Sequence, residues 1–211
     1  MSLASRKFQN VLIKPQQIVS FFKLIGDISS RSGYLTSDFF LRDRWVRGPE
    51  AGLDQFASAL YYLALVAGLE IVEHHAALIA PRSSGPEFIP MGFEACVYNP
   101  FFDLRFRNPF PFELALQTQV SADQLAITLY AKEPPVHPTQ LETEIIKTLP
   151  CGTENRSRKD PTFILGTAPK QGMNGCVLKV VRKVYENQEV IETQTLFERT
   201  LAPVHEIVWV E

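Results

Sequence analysis

Four side chains of this sequence have the chemistry to hold a metal ion or to move a proton. They are the adjacent pair His74 and His75 and the carboxylates Asp54 and Asp103. Imidazole and carboxylate groups bind divalent metals and also act as general acids and bases. Successive side chains of a strand point to opposite faces, so only one of the two histidines can join such a cluster without a bulge. No spacing in the chain resembles a metal-ligand motif, and we therefore expect neither a metal ion nor a cofactor.

The element that must position Asp54 is a predicted helix over about residues 53–67. Asp54 falls in its first turn, where a carboxylate caps free backbone N–H groups and is favoured by the helix dipole by roughly 0.3 to 1 kcal/mol. Gly68 follows as a predicted left-handed C-terminal cap. The helix is predicted because apolar residues recur at three- and four-residue steps, at Leu53, Phe56, Ala57, Leu60, Leu63, Ala64 and Ala67.

Strands are predicted around the two histidines and in the second half of the chain. Residues 133–175 are crowded with proline and glycine and predict a long irregular excursion. We therefore predict one α+β domain over residues 1–211, in which the helix at 53–67 packs on a mainly antiparallel sheet. The predicted strands are 69–75, 93–98 and 104–107, with hairpins formed by 112–119 and 124–132 and by 176–185 and 190–200.

Composition excludes several classes of partner. The 211 residues are 45% hydrophobic and 21% charged, with a net charge of −2 and a pI near 6.1, which disfavours nucleic acid and anionic membranes as generic partners. Cys96, Cys151 and Cys176 are far apart and odd in number, which argues against a disulfide framework. No signal peptide and no membrane-spanning apolar run is evident. The sequence predicts a cytoplasmic protein without membrane insertion.

The order of the motifs resembles the VanW family, which is named for an accessory protein of glycopeptide-antibiotic resistance. This chain departs from the family pattern at Gln16, where glycine is usual, and at Asp54, which stands in the position of the signature cysteine. His75 falls on the first of two family histidines. The resemblance covers nearly the whole chain, including the final hairpin, and is carried by Val11-Leu12-Ile13-Lys14-Pro15 with Ser20-Phe21, Glu50-Ala51-Gly52-Leu53-Asp54-Gln55, Gly68-Leu69-Glu70-Ile71-Val72-Glu73-His74-His75 and Phe102-Asp103-Leu104-Arg105-Phe106-Arg107-Asn108.

The resemblance implies a cleft similar to those of transglutaminase-like and papain-like enzymes. In that arrangement a cysteine at a helix N-terminus is the nucleophile, a histidine is its base and a carboxylate orients the histidine. The resistance setting implies a cell-wall peptide as substrate, although fold-level analogy alone carries no chemistry. Because Asp54 replaces the cysteine, cysteine-type catalysis is lost. The candidate cleft residues are Asp54, Gln55, His75, Glu94 and Asp103.

Two functions remain open at this point. The first is a non-catalytic binding or scaffold protein for an unidentified protein or peptide-like ligand. The second is a hydrolase or transferase that uses His75 with Asp54, Asp103 or Glu94 on a cell-wall precursor or another amide. Gln55 has the chemistry of an oxyanion-hole donor, but it also suits an ordinary first turn.

The other candidates also have structural interpretations. Asp103 has partners available in Arg105 and Arg107, or it caps a turn, and Glu94 suits a water-facing strand position. We expect the phenylalanines of this region to build the core, namely Phe101, Phe102, Phe106, Phe110 and Phe112.

Overall fold

A computed structural model describes residues 2–41, 44–49, 52–77, 89–121, 124–133, 137–157 and 172–210. Strands make up 48% of the structure and helices 16%. This composition is that of a mostly β protein and not of a helix on a sheet. Glu50 and Ala51 of the family-like segment before the helix lie outside the described residues.

Three α-helices lie within the described residues, and only the third exceeds five residues. They are α1 (Ser2–Arg6), α2 (Phe21–Ile25) and α3 (Leu53–Val66), with a 3-10 turn at Ser30–Ser32. Helix α3 matches the predicted helix to within one residue. It ends as predicted, because Gly68 is left-handed at φ 73° and the Leu69 N–H donates to the Ala64 carbonyl at 2.8 Å.

The strands form small sheets of two or three members. Their bounds in chain order are β1 (Val11–Ile13), β2 (Ile18–Ser20), β3 (Ser37–Leu41), β4 (Arg44–Gly48), β5 (Glu70–Glu73), β6 (Arg105–Arg107), β7 (Leu114–Val120), β8 (Leu125–Ala131), β9 (Thr139–Leu149), β10 (Thr153–Ser157), β11 (Gly175–Glu186), β12 (Glu189–Leu201) and β13 (Glu206–Val210).

The two predicted hairpins are present as β7–β8 and β11–β12. Strand β1 extends the first hairpin and β9 extends the second. Strand β6 pairs antiparallel with both β2 and β5. A further hairpin joins β3 to β4, and β10 pairs in parallel with β13. Apart from the three hairpins, these pairings join segments that are far apart in sequence.

The predicted α+β fold with a central helix on one antiparallel sheet, in the manner of transglutaminases or papain, is wrong. Helix α3 contacts β5, β8 and β9, which belong to three different sheets. The cause is pairing that local patterns do not encode: Val11, for example, lies opposite Leu116. The helix is correctly predicted, but the surfaces around it are built by distant segments.

Two strands lie in the range for which the sequence predicts an irregular excursion. Strand β9 pairs along β11, and strand β10 pairs along β13. Residues 134–136 and 158–171 of this range lie outside the described residues. The acidic side chains of β9 have partners on the neighbouring strand β11. Lys183 Nζ lies 2.5 Å from Glu142 Oε2, and Lys179 Nζ lies 2.8 Å from Glu144 Oε2. Charge pairing across strands thus replaces the apolar alternation that marks a strand in sequence.

The core between α1, α2 and α3 is aromatic. The Phe8 ring lies 4.8 Å from that of Phe56 and 5.6 Å from that of Phe21, centroid to centroid. All three side chains are fully buried. Burying one such ring contributes about 1.5 to 3 kcal/mol, so this cluster fixes the position of α3 and hence of Asp54.

One departure from the family pattern has a structural consequence. Gln16 occupies the left-handed region at φ 62°, where glycine avoids the steric cost that a side chain meets. The backbone at this turn therefore retains the conformation that a glycine would supply. Its N–H donates to the Asn108 carbonyl at 2.9 Å, which joins the turn to the end of β6.

Candidate functional site

The start of α3 holds residues 93–97, which form no strand although one is predicted over 93–98, through two side chains. The Val97 N–H donates to Asp54 Oδ1 at 2.8 Å, and the Ala95 N–H donates to Ser58 Oγ at 2.8 Å. Asp54 and Ser58 lie one helical turn apart, while Ala95 and Val97 lie on the same side of an extended chain, so the spacings match. Asp54 is therefore a structural acceptor in the wall of the site.

The other side of the same segment is bonded to the end of β5. The Cys96 N–H donates to the His75 carbonyl at 2.8 Å. The His74 side chain lies with Nε2 2.9 Å from the Glu94 carbonyl. Since a carbonyl only accepts, Nε2 carries the proton. Residues 93–97 thus run between α3 and the histidine pair, and join them into one unit.

His74 is a neutral, packed side chain. Its ring stacks on Tyr61 with centroids 3.9 Å apart and 8° between the planes. Burial lowers the pKa of His74 from 6.5 to about 4, and the charges of Arg199 and His75 act in the same direction, against the hydrogen bond to Glu94. A histidine in this state is poorly suited to accept a proton at neutral pH.

The stability of the fold is expected to fall below pH 6.5 because of His74. The unfolded chain takes up this proton near pH 6.5, whereas the folded chain takes it up only near pH 4. Between these values the unfolded state binds more protons, so stability is unaffected above pH 6.5 and declines by up to about 3 kcal/mol on acidification to pH 4. Urea unfolding at half-unit pH steps measures this decline.

The His74→Phe variant is the matched control, because it keeps an aromatic ring against Tyr61. We expect it to be less stable at pH 7.5, where the bond to the Glu94 carbonyl is lost, but to decline less between pH 6.5 and 4. Parallel curves for the two proteins would show that His74 does not titrate as described.

His75 is paired with Glu73, a residue that the candidate set did not contain. His75 Nε2 lies 3.1 Å from Glu73 Oε1, and the imidazole is 35% exposed. The Asp103 N–H donates to the same oxygen at 3.0 Å, and Arg105 lies 3.6 Å from the other. Glu73 is the last residue of β5, and His75 follows two residues later, so the contact is local in sequence. A carboxylate this close to a histidine in the chain is the signal that could have identified Glu73.

Electrostatics keep Glu73 ionised beside His75. Burial raises its pKa, but the hydrogen bonds from the Asp103 N–H and from His75, with the charges of His75 and Arg105, outweigh burial and hold the pKa below its ordinary value. A carboxylate in this position orients an imidazole. The pair is thus a histidine with a fixed ring, partly open to solvent.

The Asp103 side chain is not directed to the histidine. Its Oδ1 accepts from the Phe22 N–H at 3.1 Å, and its Oδ2 accepts from the Ser20 hydroxyl at 2.5 Å. The Ser20 hydroxyl in turn accepts from the Lys23 N–H at 3.1 Å. Asp103 and Ser20 together cap the start of α2. Only the backbone of Asp103 contributes to the His75 site.

Glu94 and Gln55 have different surroundings. Both carboxylate oxygens of Glu94 accept from the Gly92 N–H at 3.0 Å, and Arg199 lies 3.9 Å away in a largely buried position. Arg199 also donates to the Gly92 carbonyl at 3.0 Å. Glu94 therefore closes a turn onto β12. Gln55 is an exposed residue in the first turn of α3.

Cys96 is brought next to Asp54 by the fold, although the two are distant in sequence. Burial raises the pKa of the Cys96 thiol to about 12, and the nearby charges of Asp54 and Glu94 raise it further than Arg199 lowers it. The thiolate is the nucleophilic form of cysteine. Cys96 is thus not a reactive nucleophile beside Asp54.

An aromatic turn borders His75. The Phe102 ring lies 4.6 Å from the His75 ring, and Tyr98 stacks on Phe101 with centroids 5.9 Å apart. Phe101 is 68% exposed, so its assignment to the core is wrong, whereas Phe106 is buried as expected. Phe101 sits on the turn closed by the Tyr98–Phe102 bridge, where its neighbours in sequence cannot cover it.

Within the described ranges, no group of three or more His, Cys, Asp or Glu side chains could hold a metal ion. No helix in this part of the chain is both long and apolar enough to cross a membrane.

Two solved structures show local similarity to this chain. The crystal structure of HP0197-G5 is 23% identical and covers 36% of this chain and 97% of its own, with a TM-score of 0.20. The IgA1 protease G5 domain structure is 23% identical and covers 36% of this chain and 90% of its own, with a TM-score of 0.21. These TM-scores are too low to indicate a common overall fold.

Sequence comparison identifies the family. The uncharacterized protein YoaR of Bacillus subtilis (strain 168) is 23% identical over 133 residues, a match that covers 63% of this chain and 42% of YoaR. The chain thus spans less than half of that relative's length. The model of the family described as VanW like protein matches residues 1–130, so the final hairpin lies outside the matched range. With more than half of its residues in this match, the chain belongs to the VanW-like family.

Proposed function

We propose that this chain is a non-catalytic VanW-like protein that binds a cell-wall component through its His75 surface. We define the His75 surface as Glu73, His75, Tyr98, Phe101, Phe102 and Arg105. The observation that carries the proposal is the hydrogen bond from the Val97 N–H to Asp54 Oδ1 at 2.8 Å. It gives the residue in the nucleophile position a structural role. The choice of the cell wall as target follows from the glycopeptide-resistance setting of the family that the chain resembles.

The remaining candidates support a site without a nucleophile. Asp103 caps α2 through both carboxylate oxygens, and Glu94 closes a turn against Arg199. The Cys96 thiol stays protonated because its pKa is raised to about 12. Nucleophilic catalysis needs a deprotonated or base-activated group within reach of the substrate. The side chains of Asp103, Glu94 and Cys96 instead have structural roles.

The His75 surface has the features of a recognition site. Phe101 presents a large exposed ring, which can pack on an apolar face of a ligand. The adjacent His75, Glu73 and Arg105 supply hydrogen-bond donors and acceptors held in fixed positions. An apolar face beside oriented polar groups suits an amphipathic ligand such as a wall glycopeptide.

A second candidate function is favoured by the His75–Glu73 pair itself. An imidazole oriented by a carboxylate is the arrangement of a general base, and it would activate a water molecule in a hydrolase. This function predicts release of soluble fragments from the ligand. Binding alone predicts retention without release, so one experiment separates the two.

Co-sedimentation with purified, insoluble bacterial cell walls tests the proposal. We expect the protein to sediment with the walls and the supernatant to contain no new wall fragments by mass spectrometry. Phe101→Ala is expected to weaken binding roughly tenfold, the effect of removing one well-placed aromatic contact. Tyr130→Ala on β8 removes another exposed ring, 52% accessible, and is expected to leave binding unchanged.

Three outcomes would contradict this function. If the protein does not sediment with the walls, the cell wall is excluded as its target. If the Phe101 and Tyr130 variants weaken wall binding equally, the His75 surface is excluded as the binding site. Fragment release that is abolished by His75→Ala would replace binding by hydrolysis.

A further inference from the structure

A cavity of about 230 Å³ shares no residue with the His75 surface and is lined by α1, the end of α2 and the loop that ends at Tyr34. Its apolar wall is formed by Leu3, Leu24 and Ile25. A water molecule occupies about 30 Å³ of liquid, so the cavity has room for a molecule equivalent to roughly seven waters. This is enough volume for a small metabolite.

Tyr34 lines this cavity, and its hydroxyl group is unsatisfied. The residue is 8% exposed, and its hydroxyl oxygen is buried without a hydrogen-bond partner in the described part of the chain. A buried polar group left unpaired costs about 1 to 3 kcal/mol. Phenylalanine would fill the same space without this cost. The Tyr34 side chain otherwise packs within the hydrophobic core, and the cavity is the open space that borders it.

The lining also carries one group of each charge. Lys7 provides an exposed ammonium group, and Asp27 provides a carboxylate. Asp27 accepts from the Ser29 N–H at 2.9 Å, the Ser29 hydroxyl at 2.7 Å and the Ser32 hydroxyl at 2.5 Å. These bonds lower the pKa of Asp27 and keep it ionised. An ionised carboxylate has about four acceptor positions, so one remains for a ligand.

We propose that this cavity binds a free amino acid with an apolar side chain. The ligand carboxylate pairs with Lys7 and accepts a hydrogen bond from the Tyr34 hydroxyl. The ligand ammonium group donates to the open position of Asp27. Its side chain packs on Leu3, Leu24 and Ile25. A zwitterion matches both charges of the lining, whereas a simple acid or a simple amine leaves one of them unpaired.

Thermal unfolding of the whole chain with leucine as the probe tests this site. A ligand that binds only the folded state raises the melting temperature. We expect millimolar L-leucine or D-leucine to raise it by a few degrees. The comparison arms are 4-methylpentanoate, which lacks the ammonium group, and 3-methylbutylamine, which lacks the carboxylate. Each is expected to give less than a third of the leucine shift.

The Tyr34→Phe variant separates a binding role from a structural one. We expect it to melt at a higher temperature than the wild type without ligand, and to bind leucine at least about fivefold more weakly, the loss of one hydrogen bond. Lys7→Met is expected to weaken leucine binding by a similar factor. Tyr130→Phe, on an exposed strand, is the control that changes neither property.

Clear results would overturn this inference. If neither L-leucine nor D-leucine shifts the melting temperature, the proposed ligand class is excluded. Unchanged leucine affinity in Tyr34→Phe, or equal shifts from leucine and its two singly charged analogues, would exclude the proposed contacts. None of these results bears on binding at the His75 surface, which lies on different residues.

Discussion

Asn108→Asp is expected to lower the free energy of unfolding by roughly 3 to 5 kcal/mol. Asn108 is fully buried at the end of β6. Its Nδ2 donates to the carbonyls of Ile13 at 3.0 Å, Lys14 at 3.2 Å and Phe112 at 2.8 Å, and its Oδ1 accepts from the Phe110 N–H at 3.0 Å. In the aspartate, an acceptor would face three carbonyl oxygens without a donor between them. A buried charge would be added to this repulsion.

Urea unfolding followed by circular dichroism at pH 7.5 measures this loss. Asn155→Asp makes the same chemical change on the exposed strand β10, and its effect is expected to stay within about 0.5 kcal/mol. Lowering the pH is expected to recover part of the Asn108→Asp loss, because protonation removes the charge and restores one donor. Similar stabilities for the two variants would mean that Asn108 does not hold β1 to the turn after β6.

Gly175→Ala is expected to destabilise the fold by roughly 4 kcal/mol or more, as a steric change that the surroundings cannot absorb. A Cβ atom at this position would overlap the Leu201 carbonyl oxygen and would lie 2.5 Å from the Pro203 nitrogen and 2.7 Å from the Ala202 carbonyl carbon. All three atoms belong to the backbone where β12 ends beside β11. Relief therefore requires the two strands to separate.

Gly152→Ala is the matched control for this change. Its Cβ would meet only the His205 ring, at 3.2 Å from Nδ1, and a side chain can move away. We expect a loss of less than about 1.5 kcal/mol there. Thermal unfolding of both variants checks the difference. If Gly175→Ala and Gly152→Ala had the same melting temperature, β11 and the end of β12 would not lie as close together as described.

Several parts of this structure follow from local sequence. Helix α3 and its end at Gly68 follow from apolar periodicity and a single glycine. The hairpins β7–β8 and β11–β12 follow from β-rich runs separated by short turns. The contact of Glu73 with His75 is also local, because only one residue separates the two in sequence. In each case the interacting residues are close in the chain, so their geometry depends on backbone periodicity alone.

The arrangement of the candidate site depends on contacts between residues that are far apart in sequence. Asp54 bonds to Val97, and Asp103 caps a helix whose residues lie about eighty positions earlier. Cys96 reaches Asp54 only because residues 93–97 pass along α3. An aspartate can cap a helix or act as a catalytic acid. Which role it has depends on the residues, distant in sequence, that surround it in the fold.

The sequence by itself predicted the family and the helix that carries Asp54. Tertiary structure alone decided that the fold is mostly β, that Asp54 is a structural acceptor and that Phe101 is exposed while Phe106 is buried. The reason is that secondary structure follows from periodicities within one segment. Sheet order, burial and hydrogen-bond partners depend on which distant segments meet.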